Sequence, residues 1–237
     1  MIYAHAGFGA QAVPYPGGWE LQRRLHERRV KGEIPDTCLL LEHEAVYTAG
    51  KRTSPLDRPV TDPGIPVIDV DRGGKITWHG PGQLVGYPIV ALPEPVDVIA
   101  YVRAVEEVLL RACRDVGVAA TRVEGRSGVW ITGAARPDRK LGAIGIRVSR
   151  GVTMHGFALN CDNDLGWYDR IVACGIQDAG TTSLSAEADR LITVQDMIAP
   201  VEQHLAGVLG ATSTRRVTGA SELAALAGPL LSEPVAG

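Results

Sequence analysis

One segment constrains the fold of this chain more than any other. From Asp97 the apolar residues Val98, Val102, Val105, Leu109, Ala112 and Val116 recur at intervals of three and four, the spacing that places side chains on one face of an α-helix. Asp97 can accept hydrogen bonds from the free N–H groups of the first turn, and Gly117 can take the left-handed conformation that stops the helix. Short β-type runs crowd both sides of it. Upstream, residues 37–48 form an apolar run suited to one buried strand. Residues 67–70, 75–79 and 84–90 follow, separated by the turn compositions Asp71-Arg72-Gly73-Gly74 and Gly80-Pro81-Gly82-Gln83, and predict a meander. Downstream lie residues 118–123, 128–132, 141–149 and 152–161, the last two joined at Arg150-Gly151 tightly enough to pair as a hairpin. Further helices are expected over residues 17–31, which are arginine-rich, and from Thr193 to about Leu209, where Asp196 completes a capping box. Runs of strands interrupted by few helices predict an α+β fold, a mixed β-sheet flanked by helices, and not alternating α/β.

With 237 residues the chain can bury a full core without a metal or disulfide staple. No repeat or low-complexity linker breaks the first 210 or so residues. One domain is expected over residues 1–211, with a tail, residues 212–237, that is partly helical, near 221–231, or frayed. The 24 basic and 27 acidic side chains leave a net charge of −3, so the whole-molecule field gives no reason to expect nucleic-acid binding. Residues 1–12 lack the basic start and apolar run of a secretory signal, and nowhere do about 18 uncharged apolar residues follow one another. No membrane partner is expected, and a cytoplasmic location is. Cys38, Cys113, Cys161 and Cys174 are dispersed without a Cys-x-x-Cys pair, which argues for free thiols.

Cys174 is the candidate nucleophile. It sits in Ile171-Val172-Ala173-Cys174-Gly175-Ile176, where the following glycine permits close approach of backbone or ligand. A thiol of ordinary pKa, about 8.5, is only a few per cent thiolate at neutral pH, so a catalytic cysteine needs a nearby cation or base. Lys140 can supply one. It ends Ala135-Arg136-Pro137-Asp138-Arg139-Lys140 and enters the small, apolar Leu141-Gly142-Ala143-Ile144-Gly145-Ile146, where an ammonium is partly desolvated at a strand edge. His79 and His155 each precede a glycine and are alternatives as base or substrate-orienting group, which keeps a Cys/His hydrolase open. Neither has a second histidine at helical spacing, so no metal is assigned. Arg72-Gly73-Gly74-Lys75 is not a phosphate loop, because it leads into a strand where such loops need a helix N-terminus. Gly73, Gly74, Gly82, Gly145 and Gly156, with Ile76, Ile144 and Phe157 nearby, suggest the walls of a narrow apolar slot.

Taken together, Arg72-Gly73-Gly74-Lys75-Ile76-Thr77-Trp78-His79-Gly80-Pro81-Gly82-Gln83, Tyr87-Pro88, Lys140-Leu141-Gly142-Ala143-Ile144-Gly145, His155-Gly156-Phe157-Ala158-Leu159-Asn160 and Ala173-Cys174-Gly175-Ile176 closely resemble the lipoyl(octanoyl) transferase family. The blocks stand in the family's order and stop short of the tail beyond about residue 211. Gly142 stands where alanine is expected, a small-for-small change. The resemblance implies the α+β catalytic domain shared with lipoate and biotin ligases, and transfer of an octanoyl group from acyl carrier protein to a specific lysine of lipoyl domains. Those acceptors include the domains of 2-oxoacid dehydrogenase complexes and the glycine cleavage H protein. It further implies an acyl-enzyme on Cys174, tuned by Lys140, and a substrate site lined by Arg72 to His79, Ala143 to Gly145 and Gly156 to Ala158, with His155 in support and no cofactor.

The chemistry of these residue types agrees. A thiolate that attacks a thioester exchanges one thioester for another at little cost, and aminolysis then runs downhill to an amide without ATP. Backbone N–H groups near Cys174 or the glycine turns are candidates to hold the oxyanion. An ATP-using lipoate or biotin ligase, octanoyl transfer between lipoyl domains, and an idle acyl-binding module are the competing readings. Arg23, Arg24, Arg28, Arg29 and Lys31 form an expected basic patch that either steers an acidic carrier or is a solvated helix face.

Overall fold

The structure, a computed structural model, describes residues 1–133, 137–175 and 178–228. Ala135, Arg136 and Ile176, which belong to two of the segments quoted above, and residues 229–231 of the expected last helix lie outside them.

The expected long helix is α2 here, Val98–Asp115, with the Asp97 carboxylate accepting from the Ala100 N–H at 2.9 Å. It follows β1 (Ile2–Gly7), α1 (Tyr15–Val30), β2 (Thr37–Leu41), β3 (Val46–Ala49), β4 (Val67–Asp69), β5 (Thr77–His79) and β6 (Gln83–Ile89). After it come β7 (Thr121–Val123), β8 (Arg126–Ile131), β9 (Arg139–Ser149), β10 (Val152–Asn160), β11 (Gly180–Thr181), α3 (Leu184–Ala188), α4 (Val194–Val208), β12 (Arg215–Thr218) and α5 (Ala220–Ala227). The main sheet has the order β12-β1-β2-β6-β10-β9-β8-β7, with β11 paired to β9, and a small second sheet has the order β4-β3-β5. Parallel and antiparallel pairs mix, and helices cover both faces. Val105, Leu109, Ala112 and Cys113 of α2 pack with Met197, Val201 and Leu205 of α4 on one side. Leu25 of α1 and Leu226 of α5 pack on the other. This is the expected α+β architecture.

The hairpin between β9 and β10 forms as the sequence suggests. Arg150 and Gly151 have φ of 51° and 72°, the paired left-handed conformation whose twist matches that of the strands it joins. The capping box at α4 also forms, with the Asp196 carboxylate accepting from the Thr193 N–H at 2.8 Å.

Two expectations are corrected. The apolar run of residues 37–48 is two strands in different sheets, because Glu42 and His43 interrupt it with polar groups that are buried and satisfied. The Glu42 carboxylate accepts from the backbone N–H of Gly9 at 2.6 Å and of Gly82 at 2.8 Å. The His43 ring lies 2.8 Å from the Val13 carbonyl and 2.7 Å from the Tyr87 hydroxyl. Nor do residues 67–90 form a meander. β4 and β5 both pair with β3, while β6 lies between β2 and β10 in the main sheet. Turn composition shows where the chain bends but not which strand it returns to.

β1 and β12 were not anticipated. They pair in parallel through residues 2–5 and 215–218, so part of the expected tail forms the sheet edge. Arg28 of α1 donates to the Ala225 and Leu226 carbonyls at the end of α5, at 2.9 and 2.7 Å. The basic patch is correspondingly depleted. Arg28 pairs with Glu33, Arg29 with Asp36 and Lys31 with Glu27, and Arg23 lies 4.0 Å above the centre of the Trp19 ring. Three of the five charges are thus matched by carboxylates, while the ring under Arg23 leaves its charge in place.

Leu109, wholly buried under the sheet, tests the packing of α2. Leu109→Ala should lower the unfolding free energy by about 2–5 kcal/mol, and Ile99→Ala, at a position 74% exposed on the same helix, by no more than about 0.5 kcal/mol. Urea unfolding of the two variants measures both.

Candidate active site

One cleft gathers residues from five parts of the chain: the loop between β4 and β5, β5 itself, β9, β10 and the turn at Ala173–Gly175. Arg72, Gly74, Lys75, Thr77 and His79 line it, with Lys140, Ala143, Ile144, Gly145, His155, Gly156, Phe157, Ala158 and Cys174. The β9–β10 pairing, with Gly145 opposite Gly156 and Ala143 opposite Ala158, brings the last two sequence blocks side by side. A Cβ built on Gly156 would meet the Gly86 carbonyl oxygen at 2.2 Å. Only glycine therefore lets β10 lie this close to β6.

Four expected wall residues lie elsewhere, and one of them, Gly82, lies against Asn163 with its N–H donating to the Glu42 carboxylate. Ile76 and Trp78 alternate away from the cleft, 0% and 1% exposed, into a small core with Tyr47 and Ala49. Gly73 is held against β9 by its N–H, which donates to the Ile146 carbonyl at 3.0 Å. The period of two in β5 sorts these positions, and it was readable in the sequence. Tyr15, Arg52, Gly125, Arg126 and Ser127 join the wall unanticipated. They come from α1, a loop, the β7–β8 turn and the start of β8, and no local pattern marks them.

Of the four thiols, Cys38, Cys113 and Cys161 are sealed in the core, and Cys174 is half-buried on the cleft wall. Burial pushes the Cys113 thiol up to about 12 and raises Cys38 and Cys161 as well. Cys174 sits at φ 56° and ψ 10°, the left-handed region that a side chain with a Cβ seldom occupies. Its N–H donates to the Ile76 carbonyl at 2.9 Å, and the next N–H, of Gly175, donates to the Val172 carbonyl at 2.9 Å. The first bond holds the turn against the residue that leads into β5, and the second closes the turn itself. They also remove both groups as candidates for an oxyanion site.

Lys140 stands opposite Trp130 in the β8–β9 pair, where the register slips by one residue and leaves Leu141 unpaired. Such a bulge re-aims the neighbouring side chain. The ammonium is half-buried and lies 4.7 Å from the centre of the Trp130 ring. Behind Cys174 and Lys140 a small chamber is walled by Thr77, Trp130, Asn160 and Tyr168. Its polar groups are linked: the Gln83 amide donates to Asn160 and to the Tyr168 hydroxyl, both at 2.9 Å, and His79 Nδ1 lies 2.8 Å from Gln83 Oε1.

Both histidines of the cleft are deeply buried. Burial, and then the charge of Arg72 with those of Arg147 and Arg23, holds His155 down to about 3. Burial chiefly, then the His43 and Arg72 charges, holds His79 well below the usual histidine range. His155 Nε2 lies 2.8 Å from Asp71 Oδ1, and Arg147 donates to the other oxygen of that carboxylate. A ring that protonates only near pH 3 takes a thiol proton far uphill, which disfavours the Cys/His hydrolase. The Arg72 guanidinium is occupied structurally. It donates to the Thr48 carbonyl and hydroxyl at 2.7 and 2.8 Å and to the Gly73 and Lys75 carbonyls at 3.0 and 2.9 Å.

The chain shares its fold with lipoate protein ligases and its sequence with octanoyltransferases. The profile of the lipoyl protein ligase A/B catalytic domain matches residues 14–206. A bipartite lipoate protein ligase of Thermoplasma acidophilum superposes with a TM-score of 0.66 over 95% of this chain and 89% of that one, at 13% identity. A lipoate-protein ligase A bound with ATP gives 0.56 over 95% and 91%, also at 13% identity. Those likenesses show the fold alone. In sequence the chain is 64% identical to an octanoyltransferase of Thermobifida fusca, over 89% of this chain and 91% of the relative. It is 63% identical to one of Salinispora arenicola, over 85% and 94%. The chain belongs to the octanoyltransferases of the lipoyl protein ligase A/B class.

Two measurements check this site. In the native state one thiol, Cys174, should react with iodoacetamide and none in Cys174→Ala; modification of a second thiol without unfolding would contradict the sealed positions of the others. Folding stability should also depend on pH. His43, held to about 4, and His155, held to about 3, stay neutral in the fold, while in the unfolded chain they take protons below about pH 6.5. Their contribution is full above that value and is lost as pH falls toward the folded values, at about 1.4 kcal/mol per pH unit for each ring. Urea unfolding at pH 7, 6 and 5 should show this decline, and a flat dependence would contradict it.

Proposed function

We propose that the chain moves an octanoyl group from octanoyl-acyl carrier protein to a specific lysine of a lipoyl domain, carrying it between the two as a thioester on Cys174. One observation supports this reading most: the accessible thiol, held on a strained turn, shares a cleft with Lys140. Family membership makes the chain an acyltransferase of octanoyl groups in lipoate assembly, and the cysteine route specifies how.

In the proposed cycle the Cys174 thiolate starts beside the Lys140 ammonium. The thiolate attacks the thioester carbonyl, the bond from carbon to the carrier's sulfur breaks, and the departing thiolate takes a proton from Lys140. The acceptor amine then attacks the acyl-enzyme. Its surplus proton passes to the neutral Lys140, the carbon–sulfur bond to Cys174 breaks, and the thiolate and ammonium are restored. Each proton that Lys140 gives in the first half returns in the second.

The chamber behind Cys174 is about 20 Å³, room for one water, so the acyl chain is assigned to the cleft of about 190 Å³ in front. Ile144, Phe157 and Ala158 offer it apolar wall. Burying the chain at about 0.8 kcal/mol per methylene contributes roughly 5 kcal/mol, while one methylene more or less changes selectivity by about 1–3 kcal/mol. Neighbouring chain lengths are thus poorer substrates and are not excluded.

Acceptors in this reading are lipoyl domains of 2-oxoacid dehydrogenase complexes and the glycine cleavage H protein, and the reaction runs in the cytoplasm. The catalytic domain, expected over residues 1–211, is proposed to extend through β12 and α5, which complete the sheet edge and pack on its core. No helix among the described residues is long and apolar enough to cross a membrane.

Incubation with octanoyl-acyl carrier protein alone, acid trapping and intact mass measurement should show one octanoyl group, labile to hydroxylamine and absent from Cys174→Ala and Cys174→Ser. Activation of free octanoate that requires ATP, with no adduct from the carrier, would point to a ligase instead. Octanoyl binding without any adduct would point to an idle module.

A further inference from the structure

The cations around the cleft are not equivalent. Lys75 is paired with Asp57 at 3.1 Å and Arg126 with Asp178 at 2.6 Å. The buried Arg72 donates to carbonyls and a hydroxyl, as described, and Arg52 is exposed. Lys140 is half-buried, yet among the described residues no carboxylate lies within ion-pair distance of it. What it does meet is the indole face of Trp130, a residue 1% exposed whose strand position is opposite its own.

An ammonium over an indole is attracted by the negative face of the ring, and the attraction grows as water is removed. Unlike a carboxylate, the ring brings no net negative charge. It stabilises the cation without neutralising it and without repelling a thiolate nearby. A carboxylate in its place would form an ion pair with Lys140 and compete with the sulfur for it.

We propose that Trp130 is a positioning residue for acyl transfer, its indole face holding the Lys140 ammonium charged and in place at the Cys174 end of the cleft. The inference rests on the Cys174–Lys140 reading of the mechanism. The other groups facing this pair are Arg72, Lys75 and Tyr168 around Cys174 and Arg126 on the Trp130 ring, 5.7 Å from its centre. Arg72, Lys75 and Arg126 are engaged in the contacts given above. The Tyr168 phenol is held neutral by burial.

The rate of Cys174 alkylation against pH tests this in the wild type, Trp130→Leu, Trp130→Phe, Lys140→Ala and the Trp130→Leu/Lys140→Ala double variant. Trp130→Leu should move the midpoint up by about 0.5 to 1 pH unit, and Trp130→Phe, which keeps a smaller aromatic face, by less. In the Lys140→Ala background Trp130→Leu should add no shift, because the group it acts through is gone. Equal shifts in both backgrounds would mean a packing effect and overturn the proposal. A shift in Lys140→Ala with none in Trp130→Leu would overturn it while leaving the Cys174–Lys140 pair intact. No shift in Lys140→Ala would remove that pair and this inference with it. Should Trp130→Leu not fold, the Lys140 side-chain proton resonances, assigned by their loss in Lys140→Ala, give a second reading. Upfield displacement by the indole supports the contact, and ordinary positions exclude it.

Discussion

The antiparallel pairing of β9 with β10 is the constraint on which the site depends. Lys140 and residues 143–145 lie on one strand and residues 155–158 on the other. The left-handed turn at Arg150-Gly151 sets their register, and a slip of one residue would turn every cleft-facing side chain to the opposite face. The same pairing gives the 71–74 loop its support, through the Gly73 N–H and the Ile146 carbonyl. The bond from the Cys174 N–H to the Ile76 carbonyl then hangs the nucleophile turn on the residue that leads into β5. Two strands and two backbone bonds carry most of the geometry.

Around this frame the electrostatics divide into groups kept neutral and groups kept charged. His79 and His155 are buried beside a permanent cation, Arg72, and stay uncharged. Three sealed thiols are held protonated by the apolar core. What remains at the cleft is one accessible thiol and one lysine with an aromatic neighbour instead of an acid. The burial that makes the other candidates inert is therefore as much a part of the site as the two residues proposed to react. Arg72, which the sequence suggests as a ligand-binding residue, serves at least as much to tie its own loop to β3.

How much was legible beforehand differs from element to element. The helix from Val98, the turn at Arg150-Gly151 and the Thr193–Asp196 capping box follow from interactions within a few residues, and all three form. The blocks around residues 72–79, 140–145, 155–160 and 174 were marked by their glycines and by resemblance, and they meet in one cleft. Ile76 and Trp78 were assigned to its wall because the whole block was taken together, although strand alternation separates them from Thr77 and His79. The division of residues 37–48 between two sheets was hidden because Glu42 and His43 find their partners at Gly9, Gly82, Val13 and Tyr87. No local rule names those partners.

By itself the sequence determined the fold class, the places where the chain turns, and the short set of thiols and cations from which a reactive pair could come. It did so because periodicity, caps and turns act over a few residues. The tertiary structure alone decided that Cys174 is the accessible thiol, that it shares a cleft with Lys140, that Trp130 lies against that lysine, and that most of the α1 patch is paired. The physical reason is that burial and charge neutralisation depend on groups tens to more than a hundred residues apart in the chain, such as Arg28 and the end of α5, which only the closed sheet brings together.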